Sequence, residues 1–217
     1  MSDNKKNEMN NLVIIGAGGM GRTFYDIAKE SIGYLTDFDI KGFIDDNLNS
    51  LDGFSGYPPL LSSIQDYIID KNDVFISSIG NVSSRKRCCE VMIEKGAEFA
   101  TLIHSTARIG SNVKIGKGTV IGAYTSVGAD TQVGKHALIQ SYSIIAHDVI
   151  IGNWSRIDTH VVCIGGTQVG EEVTIHTGAI LNHKVRVGNN ACVGANSFVI
   201  RSVKEGITVF GNPAKQI

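Results

Sequence analysis

The sequence predicts an α/β plus β-solenoid chain, a small parallel α/β domain followed by a parallel β-helix. Three observations predict it. Residues 11–100 alternate short apolar runs with helical segments, and a glycine-rich turn follows the first run. From residue 105 onward an apolar residue returns at every sixth position without a slip. Glycine is abundant at 25 residues, proline scarce at 3 and aromatics few at 7%, which suits many regular corners and argues against a helical bundle.

The front domain, residues 11–103, reads in order as follows. Leu12–Ile15 is a short apolar strand running into Gly16-Ala17-Gly18-Gly19-Met20-Gly21, and a helix follows through about Lys29. Ile40–Ile44 is a second strand, closed by Asp45-Asp46-Asn47. Val74–Ile79 is a third, closed by Gly80-Asn81; Arg85–Lys95 is helical and Glu98–Ile103 is a further strand. Strand–helix–strand alternation implies a Rossmann-like parallel sheet.

The solenoid, residues 104–203, rests on two registers. The first runs Ile109, Ile115, Ile121 and onward to Val193 and Val199, sixteen positions that are all apolar. The second lies two residues earlier, from Ala107 and Val113 to Ala191 and Ser197, and is small or β-branched throughout. Residues two apart share one face of a strand. Each hexad is therefore a short strand with two inward side chains and a corner. Gly follows the large apolar residue at nine of the sixteen positions, as a tight corner would need. A sandwich would not keep this phase, whereas a stack of short repeats does.

The formal net charge of −1 gives no electrostatic footprint for nucleic acid or a membrane surface. Cys88, Cys89, Cys163 and Cys192 show no CxxC spacing, so a reduced compartment is the default. Residues 1–10 are polar and read as a mobile tail, and the expected location is cytoplasmic.

The corner glycines fail mainly at Gln140, Ala146, Asp158, Ile164, His176 and Asn182. A scaffold that abandons its own rule over one stretch marks a candidate site. Four histidines fall there: His147, His160, His176 and His183. His147 and His183 hold equivalent places 36 residues apart with Gly165 between them. This spacing resembles that of the metal site in hexapeptide-fold carbonic anhydrases, a resemblance that also implies a His five residues after the second; Gly188 stands there, so no metal is expected.

Val13–Gly21, Gly42-Phe43-Ile44-Asp45-Asp46, Ser78-Ile79-Gly80-Asn81, the hexads, His147-Asp148 and Phe210–Lys215 together resemble one family. It is the bacterial sugar acyltransferase family of nucleotide-aminosugar N-acetyltransferases and sialic acid O-acetyltransferases. The resemblance implies a left-handed β-helix with eighteen residues per coil, acetyl-CoA as acetyl donor, and a homotrimer with sites between subunits. By it His147 is the general base and Asp148 raises its basicity. Gly18, Gly19, Met20, Asp45, Asp46 and Gly80 would bind the nucleotide sugar. Arg156, Gly165, Thr177 and Ala195 would face acetyl-CoA, with the C-terminal loop 204–217 near the nucleotide end of CoA. Three positions depart from the family pattern: Met20 and Arg156 replace histidines, and Gln140 replaces an asparagine.

The front loop also satisfies GxGxxG, and Asp45 sits where a dinucleotide site wants its acid. A domain of about ninety residues, however, supplies one mononucleotide half, and no hydride-transfer domain follows. The leading expectation is N-acetylation of a nucleotide-linked amino-deoxy sugar. O-acetylation of a sugar hydroxyl and a catalytically inactive sugar-nucleotide scaffold are its rivals.

Overall fold

A computed structural model describes residues 9–217, so the expected tail lies outside it except for its last two residues. The front domain runs β1 (Asn10–Ile15), α1 (Gly19–Lys29), β2 (Phe38–Ile44), β3 (Leu60–Ser62), β4 (Asp73–Ser77), α2 (Val82–Glu94) and β5 (Glu98–Phe99). Its sheet is wholly parallel in the order β3-β2-β1-β4-β5. Chain order reverses beside β1, and the crevice at the strand ends there is where open α/β sheets bind ligands. Two loops meet in it: Ser78 N–H donates to Ile15 O at 2.9 Å and Ser78 Oγ–H to Gly16 O at 2.9 Å.

Beyond shifts of one or two residues at other strand and helix ends, the front domain departs from the sequence reading in four places. β3 was not anticipated, since three residues after Pro58-Pro59 show no alternation. β4 ends at Ser77, and Ser78–Gly80 form the turn. α2 begins at Val82 because the Asn81 side chain caps it, accepting from Ser84 N–H at 2.9 Å. The single strand expected over 98–103 is two: β5 completes the front sheet, while β6 (Leu102–Ile103) already pairs with the solenoid through Leu102 and Val120.

From Arg108 to Val199 the chain forms sixteen two-residue strands, β7 to β22, at six-residue intervals. They pair parallel with partners eighteen residues away, as in Ser126 with Ile144 and Leu138 with Arg156. Three faces result. The first holds β6 and the strands at 120, 138, 156, 174 and 192; the second runs from 108 to 198; the third runs from 114 to 186. The segment expected as a C-terminal loop contains β23 (Thr208–Phe210), which extends the first face, and β24 (Lys215–Gln216), which turns back antiparallel.

The inward registers form the core, with Ile121, Ile139, Ile157, Ile175 and Val193 at 0–1% exposure. Leu→Ala- or Ile→Ala-type losses in such a core cost about 2–5 kcal/mol. The hydroxyls of the second register are satisfied by corner carbonyls of the next coil: Thr119 Oγ1 donates to Gly134 O at 2.7 Å and Ser155 Oγ to Gly170 O at 2.7 Å. That is why Ser and Thr are admitted to an otherwise apolar interior.

The corner glycines serve a different purpose from the one their position suggests. The left-handed residue of each corner comes two places later and is often not glycine, as at Tyr142, Asp148 and Trp154. The corner glycine is there because coils approach closely: a Cβ on Gly128 would lie 2.6 Å from Ala146 C and His147 N.

The two domains share packing. Val120 and Leu138, outward on the first face, are buried with Leu12, Ile14 and Phe24 of the front domain. His136 stacks on Trp154 with ring centroids 4.0 Å apart and meets the edge of Phe99 at 4.7 Å. Burial pushes the His136 imidazole down to about 4, so it is neutral in this stack. Buried Arg85 donates to Ile79 O at 3.1 Å and to Trp154 O across the junction. Among the described residues, no helix is long and apolar enough to cross a membrane.

Candidate active site at the domain junction and the solenoid corners

The front loop separates glycines the fold requires from glycines it does not. Gly16 has φ +99°, and a Cβ on Gly21 would sit 2.2 Å from Gly16 O, backbone against backbone. Around Gly18 a Cβ would meet nothing within 4 Å, and at Gly19 only Arg22 Nη2 at 3.8 Å. The open pair leads into α1, whose N-terminus has no side-chain cap; Arg22 N–H, bonded to Gly18 O at 3.0 Å, closes the first turn. The amides before Arg22 lie in the first turn, where helical N–H groups lack intrahelical partners and favour an anion. Gly21→Ala should therefore cost about 1–3 kcal/mol by forced backbone shift. Gly18→Ala should stay within about 0.5 kcal/mol. Urea unfolding of the two variants measures the contrast, and equal losses would contradict it.

Asp45 and Asp46 also hold the loops. Asp45 Oδ2 accepts from Ala17 N–H at 2.7 Å and Oδ1 from Asn47 N–H at 2.8 Å, while Asp46 Oδ1 accepts from Ile64 N–H at 3.1 Å. Asp45 thereby ties the end of β2 to the glycine loop.

A cavity of about 310 Å³ lies between α1 and the first face of the solenoid. Met20, Phe24 and Leu138 give it apolar walls, and Gln140, Ser141 and Arg156 its polar ones. Gly80 belongs to the same place: it accepts from Arg156 Nη1 at 3.1 Å, and a Cβ on it would meet Arg156 Nη1 at 3.0 Å and Met20 Sδ at 3.2 Å. Met20, Gly80 and Arg156, far apart in sequence and in two domains, are thus brought together.

His147 stands elsewhere, at the corner between the second and third faces. Its side chain is 65% exposed, and Nδ1 contacts Asp148 Oδ2 at 2.6 Å. With the proton on Nδ1 facing the carboxylate, Nε2 presents a lone pair. The ring lies over Gly165 of the next coil: a Cβ there would be 2.7 Å from both Cε1 and Nε2. His183 is one coil further in that column, as Lys184 N–H to Gly165 O (3.2 Å) shows.

Thr177 and Ala195 fall at another corner, between the first and second faces, where Asn196 N–H donates to Thr177 O at 2.9 Å. Arg156 is on the first face beside that corner. Gly165, expected with these three, instead lies in the column of His147. The two columns flank the second face at its opposite edges.

Of the seven corners that abandon glycine, the six before Ile200 at the end of the repeat also sort into these two columns. Gln140, Asp158 and His176 occupy one on consecutive coils, and Ala146, Ile164 and Asn182 the other. The four histidines divide likewise, His160 and His176 against His147 and His183. Sequence reasoning missed the role of Asp158, which gathers Gln140, Arg156 and His176 around one buried carboxylate. The eighteen-residue spacing of Gln140, Asp158 and His176 was the available signal. Among the described residues no group of three or more His, Cys, Asp or Glu is placed to hold a metal.

Residues 11–92 match the family described as PglD N-terminal domain, and residues 89–191 match the GMPPB C-terminal domain. The acetyltransferase domain of PglB from Neisseria gonorrhoeae, solved with acetyl coenzyme A, superposes with a TM-score of 0.87 at 26% identity, over 97% of this chain and 100% of that one. The chain is similar to hexapeptide-repeat sugar acetyltransferases along nearly its whole length. The similarity extends to sequence: UDP-N-acetylbacillosamine N-acetyltransferase of Bacillus subtilis is 30% identical over 108 residues, 48% of this chain and about half (47%) of that relative. PerB of Caulobacter crescentus, solved with CoA and GDP-perosamine, shares the fold with a TM-score of 0.85 at 21% identity, over 97% and 98% of the two chains.

Proposed function

We propose that the protein transfers an acetyl group from acetyl-CoA to the amine of a nucleotide-linked amino-deoxy sugar. The observation that carries this reading is His147: an exposed imidazole backed by Asp148, with Nε2 open over a glycine. His147 Nε2 takes the proton from the acceptor amine as nitrogen attacks the thioester carbonyl. The tetrahedral intermediate collapses, the C–S bond breaks and CoA leaves with the proton returned. The open Gly18–Gly19 loop and the first-turn amides of α1 suit the acceptor's diphosphate. Asp45 and Asp46 are near enough to the loop to meet the base or ribose. The relatives that act on, or are solved with, UDP- and GDP-linked sugars support a nucleotide sugar over NAD. The test is CoA release on incubation with acetyl-CoA and a panel of UDP-, dTDP- and GDP-amino sugars. Release with none of them, together with tight NAD binding by calorimetry, would refute the reading.

The assembly is a homotrimer in this reading. Arg156, Thr177 and Ala195 are separated from His147 and Gly165 by a whole face of the prism, so one chain does not unite them. A neighbouring copy that sets one corner against the other does, and cyclic symmetry closes three such contacts. The second face suits burial, with Ile144 at 49% and Ile180 at 38% exposure on its outer side. Light scattering should give three times the 23.3 kDa chain mass; a monomer at micromolar concentration would exclude the shared site.

A further inference from the structure

Asp158 sits where the repeat would accept glycine, yet its side chain is only 5% exposed and each oxygen has two partners. Oδ1 accepts from Gln140 Nε2 at 2.6 Å and from Arg156 Nε at 2.5 Å. Oδ2 accepts from Arg156 Nη2 at 3.2 Å and from His176 Nδ1 at 3.0 Å. A buried ion pair is seldom retained for stability, because desolvation offsets its attraction. The acetyl-transfer scheme above places Arg156 in the shared site but leaves Asp158, Gln140 and His176 without a task.

We propose that Asp158 is a positioning residue: it locks Arg156 into the wall of the junction cavity as an acceptor-sugar contact and sets the His176 tautomer. The kinetic half of this proposal rests on the function proposed above; the tautomer half does not. Asp158 and the Gly80 carbonyl occupy three of the five guanidinium donors. The remaining two N–H groups, on Nη1 and Nη2, belong to an arginine whose charge is already matched by a carboxylate. Such a fork offers hydrogen bonds without net charge, which fits a ring hydroxyl or carbonyl oxygen of a sugar better than a phosphate. The Gly80 contact couples this fork to the crevice of the front domain. On the other side, donation from His176 Nδ1 leaves Nε2 of a half-exposed imidazole as an acceptor.

Asp158→Asn keeps the size of the side chain but sets an amide donor among three donors. Its KM for the acceptor should rise about tenfold, the cost of one lost hydrogen bond in a desolvated site. Its KM for acetyl-CoA should stay within about twofold. Arg156→Gln should do the same, and the double variant should be no worse than either alone. Nitrogen-15 NMR should show His176 protonated at Nδ1 in the wild type and shifted toward Nε2 in Asp158→Asn. Equal rises in both KM values, additive effects, or an unchanged tautomer would overturn the proposal. If Asp158→Asn fails to fold, Arg156→Gln carries the test: an unchanged acceptor KM overturns the assignment. A wild-type protein that transfers no acetyl group refutes the function itself, and the tautomer then still decides whether Asp158 positions its neighbours.

Discussion

With His147 as the proposed general base, His147→Ala lowers turnover by about 10²–10⁴, the usual loss on removing such a group, and leaves the fold unchanged. The ring is largely exposed and outside both inward registers, so deleting it opens no cavity. Asp148→Asn is the milder companion. Asp148 has φ +57°, and asparagine is among the few side chains at ease there, so the variant changes the charge beside Nδ1 and little else. Its loss should be smaller than that of His147→Ala, since the carboxylate only orients and supports the imidazole. His183→Ala is the control, being the same residue type in the same column. Single-turnover kinetics and thermal unfolding of the three variants separate the cases. Full activity in His147→Ala, or abolished activity in His183→Ala, would assign the base elsewhere.

Gly165→Ala lowers turnover by at least tenfold, while the melting temperature barely moves. The backbone at Gly165 is not left-handed, so alanine is conformationally acceptable there. The added Cβ would press on Cε1 and Nε2 of His147 at 2.7 Å, and the mobile end of an exposed ring yields easily. Stability is therefore spared, whereas the base is displaced by roughly an ångström, a shift that can cost about 10²-fold in a positioned reaction. Introducing Gly165→Ala into His147→Ala should add nothing. An equal further loss in that background would mean that Gly165 acts independently of the ring.

The solenoid was legible because its core obeys a period that no other arrangement keeps. Every residue from Ile109 to Val199 could be assigned inward, outward or corner from spacing alone. Corner chemistry was less legible. Glycine at the first corner position reflects contact between coils, and a contact with the next coil is invisible in a local pattern. His147 and His160 are closer in sequence than the coil repeat, yet the prism sends them to different edges. The reverse holds for Gln140, Asp158 and His176, which are eighteen residues apart and touch. In the front domain Gly16 and Gly21 were indistinguishable from Gly18 and Gly19 as letters. Only the close approach of α1 to the end of β1 shows which pair the fold needs. The break between β5 and β6 was hidden for a similar reason, since six apolar-rich residues read alike whichever sheet receives them.

A stack of identical coils has in principle no reason to stop, and its end coils are templates for another molecule. The antiparallel return of β24 changes that at one end. A further coil would have to add in parallel, but the strand it meets runs the wrong way and carries exposed Lys215 and Gln216. At the opposite end, the first strands of the second and third faces carry Arg108 and Lys114 outward, and like charges meet if two such ends approach. Strand direction on the first face at one end, and charge at the other, thus both oppose growth into fibres.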